Sequence, residues 1–137
     1  MKRKKLWIFL LFVLLFTGLR HLTKERSELG HALDLTFLPF SVRIVESGRE
    51  VWTDYLYEAT ITLDPDDFEK LISGRDFKKS KWNGDYTSPN WIPSHEPFKI
   101  AEEWEWESES ENPNKGAYCT VQANAKRDMV FIQFAVF

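Results

Sequence analysis

The side chains able to do chemistry are few, and they do not converge. Nucleophilic catalysis needs a Ser, Thr or Cys with a base in reach, and the only imidazoles are His21, His31 and His95. The first two lie close to a long apolar block. His95 sits in a proline-rich stretch with no nucleophile pattern beside it. Cys119 falls in a segment of β character, where a cysteine serves as a small core residue. Being the only cysteine, it also forbids an internal disulfide. No Gly-rich phosphate loop, His-x-x-x-His pair or Cys-x-x-Cys is present. The pattern predicts no catalytic residue, no metal and no cofactor.

Two other groups carry the sequence's binding potential. Glu102 to Glu111 reads EEWEWESESE. Side chains alternate across a strand, so Glu103, Glu105, Glu107, Glu109 and Glu111 would share one face. Trp104 and Trp106 would share the other with Ser108 and Ser110. That predicts an edge strand with Trp on the core and charge in water, where charge also discourages intermolecular pairing. The alternating Asp or Asn and the turn glycine of a calcium loop are missing. The acidic row could also face the basic group Arg75, Lys78, Lys79 and Lys81.

The second group lies in Arg75 to Lys99, an irregular stretch with Pro89, Pro93, Pro97 and an Asn83-Gly84 turn signal. A loop of this length without regular structure tends to be functional or disordered, and its aromatic side chains, which need somewhere to bury, argue against disorder. In the plain reading its rings cap the core. In the sharper one Trp82, Tyr86, Trp91 and His95 form a contact surface reaching to Phe98, assisted by Glu103, Glu105 and Glu107, for an envelope protein or a glycan. A hydrolase built on the Glu row would need carboxylates at the bottom of a deep pocket.

What positions these groups is set by an uncharged block, Leu6, Trp7, Ile8, Phe9, Leu10, Leu11, Phe12, Val13, Leu14, Leu15, Phe16, then Thr17, Gly18 and Leu19. A helix apolar on every side needs an apolar solvent. Four basic residues, Lys2 to Lys5, precede it, the layout of an export signal or anchor. At about 1.5 Å per residue it covers roughly 21 Å as a helix, short against a hydrocarbon layer of about 30 Å. Flanking Lys and Arg can make up the difference by snorkelling. Cleavage needs small residues at the first and third positions before the cut. Phe16 and Leu19 spoil the sites just after the block, while Gly30-His31-Ala32 fits but lies far away. An uncleaved anchor touching membrane lipid is therefore favoured over a secreted, saccharide-binding domain. The basic residues before the block outnumber Arg20, Lys24 and Arg26 after it, which favours a cytoplasmic N-terminus and an outer domain.

Four of the 18 basic residues precede the block and all 21 acidic residues follow it, so the rest carries a formal charge of −7. Nucleic-acid binders show the opposite, a basic stripe. The expected organisation is a basic region (1–5), an anchor or signal (6–22), a juxtamembrane linker (23–33) and one small domain (34–137), large enough for its own core. This layout is similar to that of small bacterial envelope proteins, a likeness that assigns no functional residue.

Within the domain, Thr36–Glu46 and Arg49–Leu63 read as the strands of a hairpin turning at Ser47-Gly48. Asp64 caps a short helix over about 65–73, with Pro65 at its first position, Phe68, Leu71 and Ile72 on one stripe, and Gly74 as a left-handed stop. Ala117–Asn124 and Met129–Phe137 are further strands, the last apolar on both faces and so interior. The expected fold class is α+β: an N-terminal hydrophobic helix, then a mostly antiparallel sheet of about five strands with one short helix packed on it.

Overall fold

The computed structural model describes residues 2–51, 54–81, 87–88, 97–109 and 115–137. Its architecture is α+β. Helix α1 (Lys2–Leu33) is followed by β1 (Arg43–Val51), β2 (Tyr55–Thr62), a helical segment centred on α2 (Phe68–Leu71), then β3 (Lys78–Lys79), β4 (Glu102–Glu107), β5 (Ala117–Ala123) and β6 (Met129–Val136). The six strands form one sheet in the order β1-β2-β6-β5-β4-β3, and every pairing is antiparallel. The sixth strand is the two-residue β3, too short to leave a period-two signature.

Two facts about α1 organise the rest. Its apolar part, Trp7 to Leu19, is exposed on every side. By length and composition, α1 is able to cross a membrane. Its last turns are core: Leu29, Ala32 and Leu33 are buried with Tyr57, Ile61, Phe68, Leu71, Cys119, Val121, Ile132 and Phe134. The stretch read as a linker is thus a continuation of the helix, and its end packs on the sheet. Leu29 and Leu33 are four apart, so they stack on one helix face, while Lys24, Ser27 and His31 point outward.

α1 stops through its backbone. Asp34 takes a left-handed φ of 56°. The Leu35 amide reaches back to the Gly30 carbonyl at 2.8 Å and the Asp34 amide to His31 at 3.2 Å. This is the Schellman pattern with an Asp in the position glycine usually takes. Arg75 adds to it, donating from Nε to the Ala32 carbonyl (2.8 Å) and from Nη2 to His31 (3.0 Å). A cation at a helix C-terminus also suits the helix dipole.

The short helix begins as its sequence indicates. The Asp64 side chain accepts from the Asp66 amide, Pro65 stands in the first turn, and Phe68, Leu71 and Ile72 are buried. It is tight, with 3-10 turns at Pro65–Asp67 and Ile72–Gly74 around a single α turn. Gly74 is not the left-handed stop expected, since no glycine among the described residues has positive φ. It is there for space: a Cβ at Gly74 would lie 2.2 Å from the Leu33 carbonyl oxygen and 2.7 Å from that of Asp34.

The hairpin exists with a different turn. Ser47 and Gly48 lie inside β1, opposite Ala59 and Glu58, and the chain reverses between Val51 and Tyr55. Residues 36–42 are not strand. A register shift between Ile44 and Glu46 places an extra residue in β1, as a bulge does, so alternation counted from Ser41 does not carry through. β6 lies inside the sheet between β2 and β5, covered on one face by the main core and on the other by Phe98 and Ile100 against Phe131.

Candidate functional site

The Glu-rich strand is where the sequence and the structure meet. β4 places Trp104 and Trp106 against the core, and Glu103, Glu105 and Glu107 on the other face. Trp104 lies 5.7 Å beneath the Lys79 ammonium, and Trp106 lies 4.0 Å beneath the Arg75 guanidinium. Both distances suit cation–π contact. These two ring faces are in use within the fold and are not free to stack on a sugar. β4 is not the outermost strand, because Lys78 and Lys79 of β3 pair beside it at Glu105 and Trp104.

The three glutamates of the row have different surroundings. Glu103 is half-buried and accepts a short hydrogen bond from the Gln122 amide. Glu105 and Glu107 are exposed and line a half-open groove of about 670 Å³ with Asp76, Lys78, Trp106, Ser108, Glu109, Tyr118, Cys119 and Thr120. The rim is fixed where the strands begin to separate: Ser108 Oγ accepts from the Ala117 amide at 2.7 Å, and the Ser108 amide donates to the Ala117 carbonyl at 2.8 Å. Four carboxylates against one ammonium make the groove acidic.

The groove's titratable groups are held as follows. Cys119 is buried, and burial pushes its thiol up to about 12, Arg75 offsetting only part of this. No thiolate nucleophile is therefore present near neutral pH. The Tyr118 phenol is raised, first by burial and then by the Glu58 charge. It donates to Gln133 Oε1 at 3.2 Å, and Gln133 in turn donates to Glu58 Oε1 at 2.7 Å. Among the described residues no three His, Cys, Asp or Glu side chains gather as metal ligands would.

A carboxylate held by two cationic side chains lies just off the acidic row. Glu102 shares the Trp face of β4, and its side chain is only 10% exposed. Arg127 donates to both its oxygens, from Nε at 2.5 Å and from Nη2 at 3.1 Å, and Lys79 stands at 3.1 Å. Burial alone would raise the Glu102 carboxyl, but these bonds outweigh it and hold the group below its ordinary value. Arg127 also reaches Glu69 at 2.7 Å and lies 4.7 Å over the Phe68 ring. It does so from a left-handed φ of 60° in the β5–β6 turn. One guanidinium thus ties that turn to β4 and α2. An Arg after Asn-Ala-Lys signals a turn and nothing about which carboxylate it will meet.

Trp82, Tyr86, Trp91 and His95 lie outside the described residues. The described residues 87–88 and 98–99, which lie close to theirs in sequence, are paired. Thr87 pairs with Lys99, the Ser88 amide donates to the Phe98 carbonyl at 3.0 Å, and the buried Ser88 Oγ accepts from the Phe98 amide at 3.1 Å. Phe98 is buried against Ile100 and Phe131, so its ring is core and not contact surface. No protein-family model, curated protein or solved structure matches this chain.

Proposed function

We propose that this chain is a single-pass, membrane-anchored, non-catalytic interaction module. Its N-terminus lies in the cytoplasm, and its domain lies outside the cell membrane, presenting the groove along β4 to a cationic segment of an envelope protein. The observation that carries the reading is the division of α1: one uninterrupted helix whose first half has no protein to bury it and whose last turns are part of a folded core. The same division argues against release by cleavage at Gly30-His31-Ala32. Gly30 and Ala32 are buried, and a cut there would remove Leu29 from the core. The groove's excess of carboxylate favours a basic partner, and such attraction weakens with salt.

A C-terminally tagged chain should fractionate with membranes, resist carbonate extraction and be digested by protease added to intact cells. A soluble chain, or one protected until lysis, would overturn the location. A photo-crosslinker at Thr120 should capture a basic partner at low salt, and E105Q/E107Q should abolish that capture. Capture unchanged by the double substitution would remove the groove from the proposal and leave the location standing.

A further inference from the structure

Phe37 and Phe40 are 86% and 104% exposed, more than any described large apolar side chain of α1, where Trp7 reaches 72%. They stand in TFLPF, a segment that the Asp34 reversal sends back beside α1. Arg26 of α1 holds it there, donating to the Val42 carbonyl at 2.7 Å and to Pro39 at 3.3 Å. A groove of about 500 Å³ has Thr23 and Arg26 on one wall and Phe37 and Phe40 on the other. The two rings are therefore carried at the level of α1 just past the apolar block.

Hydrophobic mismatch relates that level to the bilayer. The block falls about 9 Å short of the hydrocarbon thickness, the length of about six helical residues. With its other end held at Lys2 to Lys5, an unthinned bilayer would reach from Leu19 to about Glu25, between Thr23 and Arg26. Two exposed phenyl rings at that height offer the apolar surface that the helix lacks. Burying each in an apolar phase is favourable by about 1.5–3 kcal/mol. Lys24 and Arg43 are exposed nearby in sequence, with charge suited to anionic headgroups.

We infer that Phe37 and Phe40 insert into the acyl–headgroup boundary of the bilayer that α1 crosses. They form a second membrane contact that fixes the tilt of the domain on its helix. This rests on the reading of α1 as a membrane span, and the test separates the two. The full chain is reconstituted in phosphatidylcholine–phosphatidylglycerol vesicles containing nitroxide lipids. An environment-sensitive fluorophore is placed at T36C, at F12C in the span, or at K78C on the far edge of the sheet.

Nitroxides high on the acyl chain should quench the label at position 36 and leave that at 78 unaffected. The F37S/F40S substitution, at two exposed positions, should remove the quenching at 36 while near-ultraviolet circular dichroism stays unchanged. Mid-bilayer nitroxides should quench position 12 throughout. Quenching at 12 with none at 36 would overturn the second contact and leave the span intact. No quenching at 12 would overturn the span and the contact resting on it. A label at 36 shielded from water yet unquenched by lipid would mean that a protein, such as a second copy of this chain, covers the rings, and would also refute the inference.

Discussion

Replacing Leu29 with Ala tests whether the end of α1 is core or stalk. Leu29 and Leu33 are fully buried, and a buried Leu→Ala change costs about 2–5 kcal/mol through lost transfer energy and the cavity left behind. The total stability of a domain of this size is about 5–15 kcal/mol. One substitution therefore removes a large share of it, and L29A/L33A should leave the domain largely unfolded. The two sites lie one helical turn apart and share neighbours, so their costs will not simply add. The assay is urea unfolding of the full chain in detergent micelles, followed by tryptophan fluorescence. With a slope of about 1–3 kcal/mol per molar urea, L29A should lower the midpoint by roughly 1–3 M. Leu11, in the exposed half of the helix, provides the control, and L11A should leave the domain's midpoint where it was. A midpoint in L29A equal to that in L11A would refute the conclusion that the helix end belongs to the core.

Glu102 should give the fold an acid-sensitive component. Its folded value is depressed below 4.5, so the stabilisation is present above that value and is lost as pH falls through the folded one. E102Q should lower the urea midpoint at neutral pH, at a cost of about 1–3 kcal/mol for the broken charged hydrogen bonds, and should flatten the acid limb of a stability–pH curve. G74A places a methyl against the Leu33 and Asp34 carbonyls. It should cost about 1–3 kcal/mol or more by overpacking, measured by the same unfolding assay, whereas a glycine needed only for its flexibility would cost less. Cys119, buried with a raised thiol, should react with an aromatic disulfide reagent only at the rate of unfolding. Rapid modification of native protein would contradict that burial.

The alternation of β4 was legible because it is local: Trp104 and Trp106 pack inward while Glu105 and Glu107 stay in water, as period two requires. The Asp64-Pro65 helix start, the interior character of β6 and the uncovered apolar half of α1 were legible for the same reason, since each follows from a few neighbouring residues. Misreadings arose where a local signal had two physical causes. Gly74 marks either a left-handed stop or a close approach, and its φ together with its 2.2 Å Cβ clearance to the Leu33 carbonyl distinguishes them. Ser47-Gly48 resembles a turn, but pairing across the hairpin keeps it in β1.

The sequence alone determined what each short stretch prefers: an apolar surrounding for Leu6 to Leu19, strand for the alternating segments, a capped turn of helix after Asp64. Tertiary structure alone decided which carboxylate Arg127 holds, that Leu29 and Leu33 close the core from a helix that begins outside it, and that Phe37 and Phe40 return to the level of Thr23. These depend on contacts between residues distant in sequence, and the free energy of such contacts belongs to the folded arrangement of the pair and is not written in either residue's neighbours.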